Sequence, residues 1–138
     1  MIRLILTWVF ICTVSFTAKA QQLSLSASGA SSYPCSLAYE ILDRDGVSIQ
    51  TGFVEVSSSS DQAKIDVQLS DLFAVQVYED RNRNQKLDRG FFTQPLEVYG
   101  FSNDAWTAFS KPSIEEMLVS SKGNPLVHIY LRSVGTIK

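Results

Sequence analysis

From Leu23 onward the chain alternates apolar and polar residues in steps of two, the spacing that sends successive side chains to opposite faces of a strand. Leu23, Leu25 and Ala27 alternate with serines. Leu37, Tyr39 and Ile41 form a second alternating run, which stops at Asp43-Arg44-Asp45-Gly46, a turn signal whose glycine accepts positive φ. Phe53 and Val54-Glu55-Val56 lead into Ser57–Ser60, read as an exposed loop. Ile65, Val67 and Leu69 alternate with Asp66, Gln68 and Ser70, and after a turn at Ser70-Asp71 come Phe73, Val75 and Val77. Residues 63–79 are therefore expected to form a hairpin. In that register Phe73, Val75 and Val77 point inward, because a slip by one residue would bury Asp66 and Gln68 without partners. Leu126–Leu131 reads as the final strand, with Val127, Ile129 and Leu131 inward and His128 beside Tyr130 on the other face.

Helix is scarce. Ser113-Ile114-Glu115-Glu116, preceded by Pro112, has the S-x-x-E form of a capping box, with Ile114, Met117 and Leu118 on one face. Gly123-Asn124-Pro125 leaves room for one or two turns only. Short strands, frequent turns and one short helix in a connection point to an all-β fold. The expectation is a single antiparallel β-sandwich of transthyretin-like or immunoglobulin-like type.

The N-terminus reads as a cleavable signal peptide over residues 1–20. Arg3 opens it, Leu4–Phe16 is mostly apolar, and Ala18-Lys19-Ala20 is an A-x-A cleavage pattern. The apolar run is shorter than the ~20 residues a membrane span needs, so no span is expected after cleavage and residues 21–138 form one domain. Cys12 lies within the apolar run and is not read as a lipidation site. The expected compartment is the periplasm or the medium. The formal net charge is −2, and loss of Arg3 and Lys19 with the leader makes the remainder more acidic. An acidic chain without a basic block argues against nucleic acid as partner. Cys35 is then the one remaining cysteine, so no internal disulfide forms; it is read as a small buried residue rather than a reactive thiol.

The most distinctive stretch is Tyr78–Asn103, YEDRNRNQKLDRGFFTQPLEVYGFSN. Ala74-Val75-Gln76-Val77-Tyr78, the loop Asp80–Asp88 and Pro95-Leu96-Glu97-Val98-Tyr99-Gly100-Phe101-Ser102-Asn103 together resemble the bacterial exported family called domain of unknown function 2141. That family carries A-V-x-V-Y, then D-x-N-x-N-G-x-L-D, then P-x-E-x-Y-G-F-S-N. Pro112 and Ser113 stand where the family has a P-S-F-E-like segment. The resemblance implies a small exported sandwich with no established activity. One departure is Gln85 in place of the family's loop glycine, a position implied to be left-handed and therefore costly for a residue with a Cβ, by roughly 1 kcal/mol.

Asp80, Asn82, Asn84 and Asp88, with the carbonyl of Lys86, are oxygen donors at the spacing that curls around Ca²⁺. The twelfth position from Asp80 is Phe91 rather than a bidentate Glu, although Glu97 could supply a carboxylate from beyond the loop. Arg81, Arg83 and Lys86 add positive charge, and the competing reading is an Asx-rich turn whose side chains cap their own backbone. The expectation is weak Ca²⁺ binding at most and no required cofactor. Glu97, Tyr99, Phe101, Asn103 and Trp106 form a candidate ligand or partner surface. The aromatics Phe91, Phe92, Tyr99, Phe101, Trp106 and Phe109 are expected mainly as core beneath a crossing connection, with Trp106 the most exposed.

No catalytic residue is assigned. His128 is the only histidine, Glu115 and Glu116 read as a solvated first turn, and no nucleophile-elbow pattern occurs. The leading reading is a non-enzymatic exported module with a protein or glycan partner in the envelope. A hydrolase using Asp80, Asp88 and Glu97 and a Ca²⁺-stabilised structural domain are the alternatives.

Overall fold

A computed structural model describes residues 20–137; the expected signal peptide, Cys12 included, lies outside the described residues apart from Ala20. Eight strands and two short helical pieces follow: β1 (Gln21–Ser28), β2 (Cys35–Asp43), β3 (Ser48–Val56), β4 (Ala63–Val67), β5 (Leu72–Glu79), β6 (Tyr99–Phe101), a 3₁₀ turn (Ser102–Asp104), α1 (Ile114–Met117), β7 (Val119–Ser120) and β8 (Leu126–Tyr130). One sheet has the order β4-β1-β8, and the other β3-β2-β5-β6 with β7 also on β5. Every pairing is antiparallel except β1 with β8. The expected sandwich is therefore present, with one parallel rung inside it. No helix among the described residues is long and apolar enough to cross a membrane.

The alternation decides which residues fill the space between the sheets. Leu23, Leu25, Ile65, Val67, Val127 and Ile129 from the first sheet meet Leu37, Ile41, Phe73, Val75 and Val77 from the second. Burial of each such side chain is worth about 1.5–3 kcal/mol, which fixes the register of every contributing strand. Gln76 and Tyr78 lie on the opposite, outer face, as the alternation of β5 predicts.

The expected hairpin over 63–79 does not form. β4 pairs with β1 and β5 with β2, so the connection Gln68–Asp71 crosses from one sheet to the other. Ile65 and Val67 then pack across the core from Phe73 and Val75 instead of lying beside them. Alternation specifies the buried face of a strand and leaves its neighbour open.

A second, smaller core covers part of the outer face of the larger sheet. Leu42, Ala74, Phe101, Ala105 and Met117 are buried there, with Ile114 and Leu118 packed against them. α1 supplies the lid, and its start is fixed as expected: the Glu116 carboxylate accepts the Ser113 N–H at 2.8 Å. The turn after β2 is also as read, with Gly46 at φ 80° and Asp43 Oδ1 accepting the N–H groups of Asp45 and Val47, both at 2.9 Å.

One side of the sandwich is joined. The backbones of Tyr99 and Arg132 exchange two hydrogen bonds of 3.0 and 2.8 Å, linking β6 to the segment after β8. Gly100 makes this possible, since a Cβ there would run into the Tyr130 carbonyl. On the other side, among the described residues, β3 pairs only with β2 and β4 only with β1.

Candidate functional site

The loop Asp80–Asp88 folds around its own backbone. Asp80 is buried, and its two carboxylate oxygens accept the N–H groups of Asn84 at 3.1 Å and Gln85 at 2.8 Å. Asn82 Oδ1 accepts the Asn84 N–H at 3.2 Å, and Asn84 Oδ1 accepts the Lys86 N–H at 2.9 Å. The Asn82 and Asn84 amide groups donate to the two oxygens of Asp88 at 2.6 and 2.8 Å. To ligate a cation, these asparagines would have to trade those bonds for coordination.

Glu97 fastens the loop at both ends. Its buried carboxylate accepts the Arg81 N–H at 2.9 Å and the Asp88 N–H at 3.2 Å. Arg83 ties the loop to β3 through two bonds of 2.9 Å to Glu55. Both side chains are more than half exposed, so solvent screens this pair and it adds little to stability. Arg83 and Gln85 both sit in the left-handed region, at φ 58° and 62°.

The loop also forms a wall. With the segment that follows it, the loop borders a trough of about 860 Å³ on the outer face of the larger sheet, within the 300–1,000 Å³ range of small-ligand pockets. Two cross-strand rungs make the floor. The first is Phe53, Ala38, Tyr78 and Tyr99, and the second Thr51, Glu40, Gln76 and Phe101. A third rung, Leu42 with Ala74, is roofed by Met117, so the small core ends the trough on that side. Ala38 is the small residue between two rings and makes the floor concave. In the second rung the Gln76 amide donates to the Glu40 carboxylate. Arg89, Phe92, Thr93, Gln94, Pro95, Phe109, Ser110 and Lys111 line its sides.

Several aromatics stand where the sequence reading did not put them. Phe91, Phe92 and Phe109 are 94%, 80% and 85% exposed rather than core. Phe91 and Phe92 ride on the tight turn Gly90–Thr93, closed by the Thr93 N–H on the Gly90 carbonyl at 2.9 Å, and their rings meet edge to face at 5.2 Å. Trp106, expected as the most exposed, is half-buried: it lies 5.0 Å from the Tyr99 ring, under the Arg132 guanidinium, and donates its Nε1–H to Thr136 O at 2.7 Å. Burial raises the Tyr78 phenol pKa, with the charges of Asp80, Glu97 and Asp88 adding to it, and burial raises that of Tyr99.

Residues 36–127, well over half of the chain, match the family described as "Uncharacterized protein conserved in bacteria (DUF2141)". The chain belongs to this family. No curated protein and no solved structure matches it.

Within DUF2141, the motif residues quoted from this chain turn out to be mostly structural. Asp80 and Glu97 hold the loop. Gly100 admits the Tyr130 backbone, and Phe101 belongs to the small core. Ser102, fully buried, accepts the Val75 N–H at 2.9 Å and donates to Met117 O at 2.6 Å. Asn103, at φ 59°, donates its amide to Glu116 O at 2.9 Å. Of the proposed surface Glu97, Tyr99, Phe101, Asn103 and Trp106, only Tyr99 and Phe101 line the trough.

Two further sites are brought together from distant segments. His128 lies between Ser26, whose Oγ is 2.8 Å from Nδ1, and Ser28, whose Oγ is 2.9 Å from Nε2. The parallel β1–β8 pairing creates this arrangement. Cys35 is buried next to Glu79, and burial together with that charge pushes its thiol up to about 11.

Proposed function

We propose that the protein is an exported, non-catalytic binding module whose ligand lies in the trough on the outer face of the larger sheet. The observation that carries this reading is the trough itself, an open concavity floored by one aromatic and one polar rung and flanked by the solvent-exposed rings of Phe92 and Phe109. Exposed aromatic side chains grouped around a concavity mark surfaces that are covered in use.

The chemistry of the remaining groups supports binding over turnover. The carboxylates of Asp80 and Glu97 are committed to backbone N–H groups, and Asp88 to the two asparagine amides. The Cys35 thiol is held in its neutral form, and both His128 nitrogens face serine hydroxyls. Export is supported by the leader-like N-terminal sequence, with the periplasm or medium as compartment and an envelope component as partner.

The test uses a naphthalene-sulfonate dye that fluoresces in apolar surroundings, with fractions of bacterial envelope extract as competitors. The dye is expected to bind the native protein and to be displaced by at least one fraction. Thr51→Trp, which sets a large ring on the trough floor, is expected to abolish both effects. Dye binding unchanged by Thr51→Trp, or no fraction competing, overturns the reading.

A further inference from the structure

We propose that the ligand of the trough is a saccharide, its ring stacked on the aromatic rung and its hydroxyls held by Glu40, Gln76 and Gln94. This rests on the trough being the binding site and adds the chemical class of what it binds.

Three features of the lining select that class. The two rungs of the floor are separated by two residues along each strand, ~7 Å, so one ring-sized ligand touches both. A sugar ring has an apolar C–H face and a polar edge, which matches Phe53 and Tyr78 beside Glu40 and Gln76. An acyl chain would be served by a run of branched aliphatic side chains; the two floor rungs carry none, and of Val77, Leu87 and Val134 in the lining, Val77 turns its side chain into the core.

The second feature is an unmet acceptor. Gln94 Oε1 is a buried side-chain oxygen with no hydrogen-bond partner among the described residues, and Gln94 stands in the trough wall. A buried acceptor left unpaired is costly, and a ligand hydroxyl is a donor able to satisfy it after a small turn of the amide.

The third is the nature of the floor. It is the face of a sheet, which presents side chains. An extended peptide gains affinity chiefly through backbone pairing at a sheet edge, and on this face its own N–H and C=O groups would find few partners. A cationic ligand is disfavoured as well, since Arg89 and Lys111 at the rim outnumber Glu40.

The experiment is calorimetric titration of the protein with short oligomers of glucose, of N-acetylglucosamine and of a uronic acid. Lipid vesicles and an unstructured peptide are run in parallel. Saturable binding of at least one oligosaccharide is expected, weakened about tenfold or more by Phe53→Ala and by Gln76→Ala. Both residues lie on the outer face, and circular dichroism melts of the two variants are expected to match the native curve. If all three oligosaccharides fail to bind, or bind both variants as tightly as the native protein, the saccharide assignment is wrong. Binding of vesicles or peptide in their place overturns it too. Should the dye-displacement result stand while every oligosaccharide fails, only the ligand class falls. Should the dye result also fail, the trough is not the site.

Discussion

Gln85 occupies a backbone conformation that an L residue adopts at a cost of about 1–2 kcal/mol. It is held there because its N–H and that of Asn84 are both captured by Asp80. Gln85→Gly removes the Cβ conflict, and the greater freedom of glycine in the unfolded chain offsets part of the benefit. A net gain of about 0.5–1 kcal/mol is expected, read as a higher urea midpoint with unchanged slope. The gain should be equal in calcium and in chelator, because the loop oxygens are occupied by N–H donors. A gain seen only with calcium would place a cation in the loop. The left-handed turn was legible in the sequence from the family's glycine at this position. The Asx-turn reading already had Asp80 capping its own backbone; that Glu97 does the same from beyond the loop was not legible, since its N–H partners, Arg81 and Asp88, lie far from it in sequence.

At the scale of the element, β5 shows what a sequence pattern can and cannot specify. Its inward face, Phe73, Val75 and Val77, follows from alternation alone. Its neighbours do not, because pairing partners are chosen by the topology of the whole chain; hence β4 was expected beside it and lies in the other sheet. The second edge of β5 is completed in three pieces: β6 along Gln76–Tyr78, the Ser102 hydroxyl at Val75, and β7 along Leu72 and Phe73. Ser102→Ala leaves the Val75 N–H and the Met117 carbonyl unpaired in a fully buried place. A loss of about 1–3 kcal/mol is expected in denaturant, with faster hydrogen exchange at the Val75 amide. Unaltered exchange at that amide would show that the gap closes without the hydroxyl.

For the whole molecule, the joined side depends on Gly100. Gly100→Ala drives a Cβ into the Tyr130 carbonyl and the Ile129 side chain, two parts of the opposite sheet. Destabilisation of about 1–3 kcal/mol is expected, seen as a lower melting temperature. An unchanged melting temperature would mean that β6 and β8 move apart at no cost. The sandwich itself was legible because two-residue alternation is a local property. The trough was not: its floor is assembled from four strands, and its walls from segments the sequence presented as a metal loop and as core aromatics. The Ser26–His128–Ser28 group was hidden for the same reason, since it requires β1 and β8 to run side by side. At the open side lies β3, nine residues whose only charge is Glu55 and whose free edge carries no lysine or proline. The shorter β4 is blunted by Lys64 and Asp66. Edge strands with few charges invite a foreign strand to continue the sheet. On these grounds β3 is the strand expected to limit solubility, the place where a second molecule would add to the sheet in concentrated solution.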